Sequence, residues 1–531
     1  MALFRVENVQ PEDRDRFIRI LNYKFVDKNF VTYAIQINVG EYNWTCERRY
    51  SDFAEFDRHR FASCLKQSIL PPKKLVGNLD EDFVKKRKEE LERYLRIVFE
   101  LEVWLQKNCR RVSCIPRPLA RFLDFHKYEV HAVVDELSSK FYENGEKWLT
   151  NGEYYRLTTL ELHSITERLK LPEPTCEAGD PKLDFGHVLD FVHRLQHLKV
   201  QGSKSKTIGS SNINPQKLPF SLNSFKSIVS LWIVDCDPAM ISGIGSCRHT
   251  TNSLTVHYTL HYPKEMLLEK DVDGSVAEQC DVDATSSQTD VQRWDKLKVV
   301  DFSFNQIRDL DHSMMCLHNL ENLNLTCNGL TDIAYLQHLP RLTELNLSNN
   351  RIESVEHWHK KLGNVKKLLL NGNRIRFVQG LSKLYSLQYL DLRDNCIAQA
   401  SDVRPLGRLP CLETLRLSGN PLETRVEYRT RVLEAFADRL SELRLDGELA
   451  SQRESDTVGV RVAIRKAKED RERQLKRTSE QICRALNPDI PILNSHSSGA
   501  SEPSTSNTVE KLQQQQRIDA QASGEDAEAS Q

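Results

Sequence analysis

At 531 residues the chain is too long for one ordinary hydrophobic core, so three or four folding units are expected. Its 74 Lys and Arg balance 75 Asp and Glu, which excludes a global field drawing it to nucleic acid or to an anionic membrane and leaves only local attraction. Thirteen cysteines lie as singletons whose closest pair, Cys109 and Cys114, lacks zinc-ligand spacing; reduced thiols are expected, with no metal and no cofactor.

The first residues lack the basic segment followed by an apolar run that a secretory signal needs. The densest apolar stretch, Ile228 to Val234, falls far short of the roughly 20 residues that cross a bilayer. Any membrane contact is therefore expected from the water side.

In chain order, residues 15 to 60 alternate as strands do. Phe17, Ile18, Ile20 and Leu21 come first, then Tyr33, Ile35 and Ile37, then Trp44, and a three-stranded meander is the simplest account. Pro71-Pro72 forces an extended connection. From Asp82 to Glu102 the period turns helical: Phe83, Leu91, Tyr94, Leu95 and Val98 share a face, and Lys85, Lys86, Arg87 and Lys88 cluster near its start. A helical stretch from Leu119 to Phe125 closes an α+β domain over residues 10–126.

Residues 127–217 read as a helical linker, with helices over His131–Asn144 and Phe185–Leu198 divided by Pro172-Glu173-Pro174. Residues 218–292 read as atypical opening repeats with an acidic insert: Ile228, Leu231, Ile233 and Cys236 form a degraded ladder, and Leu254 and Val256 another.

Over residues 293–447 the ladder becomes regular, with bulky apolar residues at positions 1, 4 and 6 and Asn at position 9. The asparagines are Asn305, Asn328, Asn350, Asn373, Asn395 and Asn420, spaced by 22 to 25 residues, which is the leucine-rich-repeat period. No unit of this size buries its own apolar face, so the array is expected to fold as an α/β solenoid, with a C-terminal cap from Tyr428 to Gly447 closing the open end. Residues 448–490 hold a basic amphipathic helix, and 491–531, rich in Ser, Gln, Glu and Ala, read as a disordered tail.

Three segments carry the most specific chemistry: Arg48-Arg49-Tyr50-Ser51-Asp52-Phe53, Leu70-Pro71-Pro72-Lys73-Lys74, and Arg87 followed by Leu91, Tyr94 and Leu95. An inositol lipid headgroup needs guanidinium forks for its phosphates, a point cation for the lipid-bearing phosphate and a flat ring against the sugar. Arg49, Arg87, Lys73 and Tyr50 supply that set, with Lys74 competing for the lysine role. The three segments, in this order, resemble a PX (phox-homology) domain. The resemblance implies phosphatidylinositol 3-phosphate as ligand: Arg49 on the 3-phosphate, Tyr50 under the ring, Lys73 on the 1-phosphate and Arg87 on the 4- and 5-hydroxyls. Leu75 and Val76 are candidate membrane-inserting side chains or ordinary core, and the basic helix around Arg461 to Arg477 is a candidate second anchor or a solvated face or short coiled coil.

In a leucine-rich stack the residues between ladder positions project from the concave sheet. Lys366, Lys367, Tyr389, Asp391, Arg393 and Arg416 are the candidate protein-binding positions, polar enough to suit a protein surface rather than a small apolar ligand. The order of a PX domain, helices, leucine-rich repeats and cap resembles the nischarin family of imidazoline receptor candidates. That resemblance implies a scaffold, cytoplasmic and peripheral on early or recycling endosomes. Its implied partners are an integrin α subunit tail, Rac and p21-activated kinase in cell migration, with homo-oligomerisation open and no nucleic acid involved. No phosphate loop, nucleophile elbow or His-Glu-x-x-His helix appears, so no catalytic residue is expected. The alternative is a cytosolic leucine-rich regulatory subunit that binds a phosphatase or kinase and no lipid.

Overall fold

The computed structural model describes residues 16–27, 29–61, 69–74, 78–108, 117–171, 181–269 and 293–486. Leu75, Val76, most of the acidic insert and the C-terminal tail, with the expectations placed on them, lie outside the described residues. The chain divides into two compact units, Met1–Val462 and Ala463–Gln531.

The N-terminal domain is built on an antiparallel meander of β1 (Arg16–Val26), β2 (Phe30–Val39) and β3 (Tyr42–Arg49) in the order β1-β2-β3. Along β2 every second residue, Val31, Tyr33, Ile35, Ile37 and Val39, is buried, as the period of 2 requires for a sheet with one covered face. In β1 a bulge between Ile20 and Asn22 breaks that alternation and leaves Leu21 exposed. Helix α1 (Tyr50–Phe61) follows β3 directly. The covering element is α2 (Glu81–Asn108), whose Val84, Arg87, Leu91, Tyr94, Leu95 and Val98 recur at helical spacing and are buried. Tyr94 donates to Asp57 at 3.0 Å, so its buried hydroxyl is satisfied.

Short helices α3 (Arg117–Phe122) and α4 (Phe125–Tyr128) lead into α5 (Val130–Asn151). The junction is tightly made. The Trp44 indole donates to the Leu123 carbonyl at 2.7 Å and packs edge-on against Phe125, while Arg48 donates to the Phe122 carbonyl and pairs with Asp124 at 2.8 Å. The outer edge of β3 is occupied too: Asn43 N–H donates to the Asn212 side chain at 2.8 Å, Asn212 N–H returns to the Asn43 carbonyl at 3.0 Å, and Ser210 Oγ donates to the Thr45 carbonyl at 2.6 Å. The N-terminal apolar cluster accordingly takes in Leu160, Ile213 and Leu218 from far along the chain. An edge strand that would otherwise invite pairing is thereby closed from within.

The second layer is one parallel sheet of eleven strands. It begins with β4 (Tyr155–Thr158), which leads into α6 (Thr159–Leu169), and continues through β5 (His197–Gln201) after α7 (Gly186–Arg194). The expectation of a helical linker over 127–217 is corrected in part here: β4 and β5 already belong to the sheet, and Leu198, expected at a helix end, pairs in the sheet with Tyr155 and Leu231. Their apolar residues are too few to show the ladder; β5 pairs on the open edge of β7 (Ser230–Val234), and β4 pairs in turn on β5.

A two-stranded side pair, β6 (Phe220–Ser221) with β8 (Ile241–Ser242), flanks this start. The sheet then runs through β9 (Ser253–His257), β10 (Val299–Asp301), β11 (Asn322–Asn324), β12 (Glu344–Asn346), β13 (Lys367–Leu369), β14 (Tyr389–Asp391), β15 (Thr414–Arg416) and β16 (Arg444–Leu445). Helical turns such as α8 (Lys264–Leu267), α9 (Trp358–Lys361) and α10 (Ala400–Val403) return the chain between strands.

The asparagines join the repeats. Asn350 donates to the carbonyls of Leu325 and Leu347 at 3.0 Å and accepts from Leu330 N–H at 3.1 Å, so one buried amide serves two neighbouring units. Asn373, Asn395 and Asn420 repeat the pattern. The preceding residue turns the chain inward: Phe304, Cys327, Asn349, Gly372, Asp394 and Gly419 all lie at positive φ, between 54° and 75°. Only the two glycines adopt this region without strain; the other four are held there by the stack.

At the far end α11 (Tyr428–Leu433) caps the core. Tyr428 donates to Asp446 at 2.5 Å, and the same carboxylate accepts from Leu417 N–H at 2.7 Å. Helix α12 (Gln452–Leu486) starts in the first unit, where Val458 is buried and Arg429 pairs with Glu454 at 2.8 Å. In the second unit nearly all of its described side chains are exposed, with Ile464, Leu475 and Ile482 on one face.

Candidate functional site

The N-terminal domain gathers its candidate residues where β3 meets α1, opposite the start of α2. Tyr50, the first residue of α1, donates its hydroxyl to the Pro71 carbonyl at 2.5 Å. From α2, Arg87 donates to the Pro72 carbonyl at 2.6 Å. These two bonds fix the extended Pro71-Pro72 segment, and with it Lys73, against the helical layer. Because neither proline has an N–H, their carbonyls are the groups left to hold.

Arg87 is the central group. Only 6% of it is exposed, its guanidinium lies 4.3 Å from the Tyr50 ring and 4.4 Å from the Phe83 ring, and its Nε has no hydrogen-bond partner among the described residues. A buried, incompletely satisfied cation is costly in a finished interior, and an anion supplied from outside would relieve it. Stacking on two rings orients the fork without consuming its donors. Burial raises the Tyr50 hydroxyl above its ordinary value against the lowering effect of Arg87, so the ring stays neutral.

Arg49 closes β3 and is much more open, with 56% of its side chain exposed and a 3.2 Å contact to Asp52, whose other oxygen accepts from the Arg49 backbone N–H. Lys73 is exposed and forms no ion pair among the described residues, while the Lys74 ammonium sits 4.1 Å from the Phe83 ring. Tyr50, Arg87 and the Lys73 segment are thus brought into contact, and Arg49 is placed beside them by its bond to Tyr50. Lys74 is drawn aside by Phe83. The sequence reading missed Phe83 as a site residue: it placed the ring on the apolar helix face, and its spacing of four residues before Arg87 was the available signal. One face of Tyr50 is already occupied by Arg87, so a sugar ring has only the other.

On the sheet, the expected protein-binding positions are largely engaged with one another. Asp391 is only 2% exposed and grips Arg393 through a 2.7 Å pair, which corrects its expected place on the recognition surface. Lys367 pairs with Glu344 at 3.2 Å, and Arg416 lies 5.8 Å from the Tyr389 ring. Lys366 is exposed. Among the described residues no group of His, Cys, Asp and Glu could hold a metal ion, and no helix is long and apolar enough to cross a membrane.

The family model for the PX domain matches residues 38–113, and leucine-rich-repeat models match 295–338 and 318–375. The PX domain-containing protein kinase-like protein of Rattus norvegicus is 32% identical over 121 residues, covering 22% of this chain and 19% of that protein. Sorting nexin-13 of Homo sapiens is 36% identical over 83 residues, 14% of this chain and 9% of that protein. Kinesin-like protein KIF16B of Mus musculus is 39% identical over 77 residues, 14% of this chain and 6% of that protein. The chain therefore spans at most 19% of the length of these relatives. Among solved structures, an internalin from Listeria monocytogenes aligns at a TM-score of 0.32 and 19% identity, over 51% of this chain and 71% of that one. The chain carries a PX domain followed by leucine-rich repeats, modules that are non-catalytic and that as classes bind phosphoinositides and proteins.

Proposed function

We propose that a chain joining a PX domain to a leucine-rich solenoid acts as a scaffold: the PX domain holds it on membranes through phosphatidylinositol 3-phosphate, and the solenoid receives protein partners. The observation that carries the lipid half is Arg87, a nearly buried guanidinium stacked between Tyr50 and Phe83 with an unpartnered Nε. Arg49 and Lys73 extend the cationic surface outward from it, with Lys73 in no ion pair among the described residues. In this reading Arg49 takes the 3-phosphate and Lys73 the lipid-bearing phosphate, while Arg87 reads the ring hydroxyls.

The family resemblance adds that the platform is endosomal and that its partners include an integrin α subunit tail, Rac and p21-activated kinase. Two features support a platform over a tethered lipid module. The edge of β3 is bonded to Ser210 and Asn212, and the N-terminal core includes Leu160, Ile213 and Leu218. Lipid engagement would therefore orient the solenoid as well as recruit it.

The test is co-sedimentation of the full chain with phosphatidylcholine vesicles containing phosphatidylinositol 3-phosphate, against vesicles with the 4-phosphate or none. Selective binding lost in Arg49→Ala supports the proposal. Binding to none of them, or equal binding by wild type and variant, would reject the lipid half and favour the regulatory-subunit alternative.

A further inference from the structure

The start of the sheet differs in chemistry from its end. On consecutive strands the residues at one register are Lys199, Trp232, Thr255 and Asp301, and beside this row stand His197, His257, Tyr258 and Phe304, with Tyr154 just ahead of β4. Their rings form a connected series. Tyr154 lies 5.7 Å from both His197 and Trp232, Trp232 lies 6.1 Å from His257, and His257 and Tyr258 lie 5.9 and 5.8 Å from Phe304. Three of them face solvent, Tyr154 at 42%, Tyr258 at 51% and Phe304 at 46% exposed. A polar sheet face would not gather large rings without a use for them, and such rings are what bound proteins anchor on.

The charges in this belt are unbalanced. Asp301 is engaged by His257 at 3.4 Å and by Ser303 N–H at 2.9 Å, and Asp235 by Lys204 at 3.6 Å. Among the described residues Lys199 and Arg156 have no carboxylate partner, and the Lys199 ammonium rests 3.4 Å from the Trp232 ring. The indole N–H of Trp232 is buried and has no acceptor among the described residues. A carboxylate arriving here would meet a lysine held only by a ring.

We propose that this aromatic belt, centred on Trp232 and Lys199, is a docking surface for an extended acidic segment of a partner protein that interleaves carboxylates with aromatic or aliphatic side chains. The belt crosses the strands from ahead of β4 to just past β10. At about 4.8 Å per strand it runs roughly 20 Å, the reach of some six extended residues. Carboxylates reach Lys199 and Arg156 and displace the ammonium from the indole, and apolar side chains pack on Tyr258 and Phe304. The inference deepens the protein-binding half of the proposed function, resting on it, and is independent of the lipid half.

The experiment uses the full chain and an array of labelled synthetic peptides graded from acidic to basic at constant aromatic content, read by fluorescence anisotropy. Affinity is expected to rise with negative charge. Trp232→Ala should weaken the best acidic peptide by about tenfold or more, and Lys199→Glu should abolish the preference for acid. Phe304→Ala, which removes an exposed ring and leaves the core intact, should weaken it severalfold, while Lys383→Ala, exposed in the turn that precedes β14, should change nothing. Vesicle binding by Trp232→Ala is expected to equal wild type, which separates failure here from failure of the lipid reading. The proposal is overturned if no acidic peptide binds, if affinity is flat across the charge series, if Trp232→Ala and Lys199→Glu bind as wild type, or if oligouridylate RNA displaces the peptide, which would make the belt a base-stacking surface.

Discussion

Arg87 in the N-terminal domain is nearly buried and Arg393 on the sheet is bound to a buried carboxylate, and the two are committed differently. Arg393 spends its guanidinium on Asp391, a carboxylate on the same strand edge, through bonds of 2.7 to 3.1 Å that raise the arginine above its ordinary range. Arg87 stacks on two rings, spends one donor on a proline carbonyl and keeps its Nε unpaired. The contrast teaches that charge count is a poor guide to a binding surface. A cation already matched inside the fold stabilises it, and a cation left unmatched at high burial is held for something else.

The largest expected effect tests the unmatched side of that contrast. Arg87→Ala should lower affinity for phosphatidylinositol 3-phosphate vesicles by about a hundredfold, since a charge-assisted contact contributes roughly 1.5 to 3 kcal/mol and its stacking partners lose their orientation as well. Vesicle co-sedimentation measures it. Arg393→Ala, by contrast, should leave vesicle binding unchanged while lowering thermal stability, because it strands the buried Asp391. A loss of lipid binding from Arg393→Ala would break the comparison.

The repeat core gives the next effect. Asn350→Ala removes one amide that serves the backbones of two repeats and leaves buried carbonyls and an N–H without partners, at a cost of about 2 to 4 kcal/mol. Denaturant melts should show it as a shifted midpoint, with hydrogen exchange rising first in the flanking units. Arg49→Ala follows, with vesicle affinity falling at least about tenfold and no change in the melt, since that side chain is open to solvent.

The smallest effect concerns a charge that burial dominates. Asp135 on α5 has its carboxyl pushed up from 3.8 to about 6 by burial, which Arg117 and Arg168 only partly offset. A raised carboxyl favours the folded state while protonated. The protein is therefore relieved of the penalty below pH 3.8, and the loss of stability accrues as the pH rises through about 6. Asp135→Asn should be more stable than wild type at pH 7 by on the order of 1 to 2 kcal/mol, with the gain vanishing in acid. Thermal melts across that window would decide it, and a gain independent of pH would assign the effect to packing.

Particular elements explain what could be read in advance. The six asparagines announced their repeats because each unit sends the same ladder residues, at the same spacing, into one shared core, so the pattern is periodic. The Arg49-Tyr50, Pro71-Pro72-Lys73 and Arg87 segments were legible as a set for a different reason: the chemistry needs those residue types, and chain order survives folding. Phe83 was not legible, because an aromatic on a helix face serves a core or a cation equally well until its neighbour is placed. The first strands, β4 and β5, were hidden by flanking helices and by having too little apolar text of their own.

By itself the amino-acid order determined the α+β first domain, the repeat period and the cationic residue set, because each depends on side chains a few positions apart. Tertiary structure alone decided where the solenoid starts, since β4 joins the sheet only by pairing with β5, and that the first domain is bonded to it through Asn43, Ser210 and Asn212. It also decided which charges remain unmatched. Whether a lysine or arginine meets a carboxylate depends on strand register and on contacts between distant segments, and neither is written in the spacing of residues along the chain.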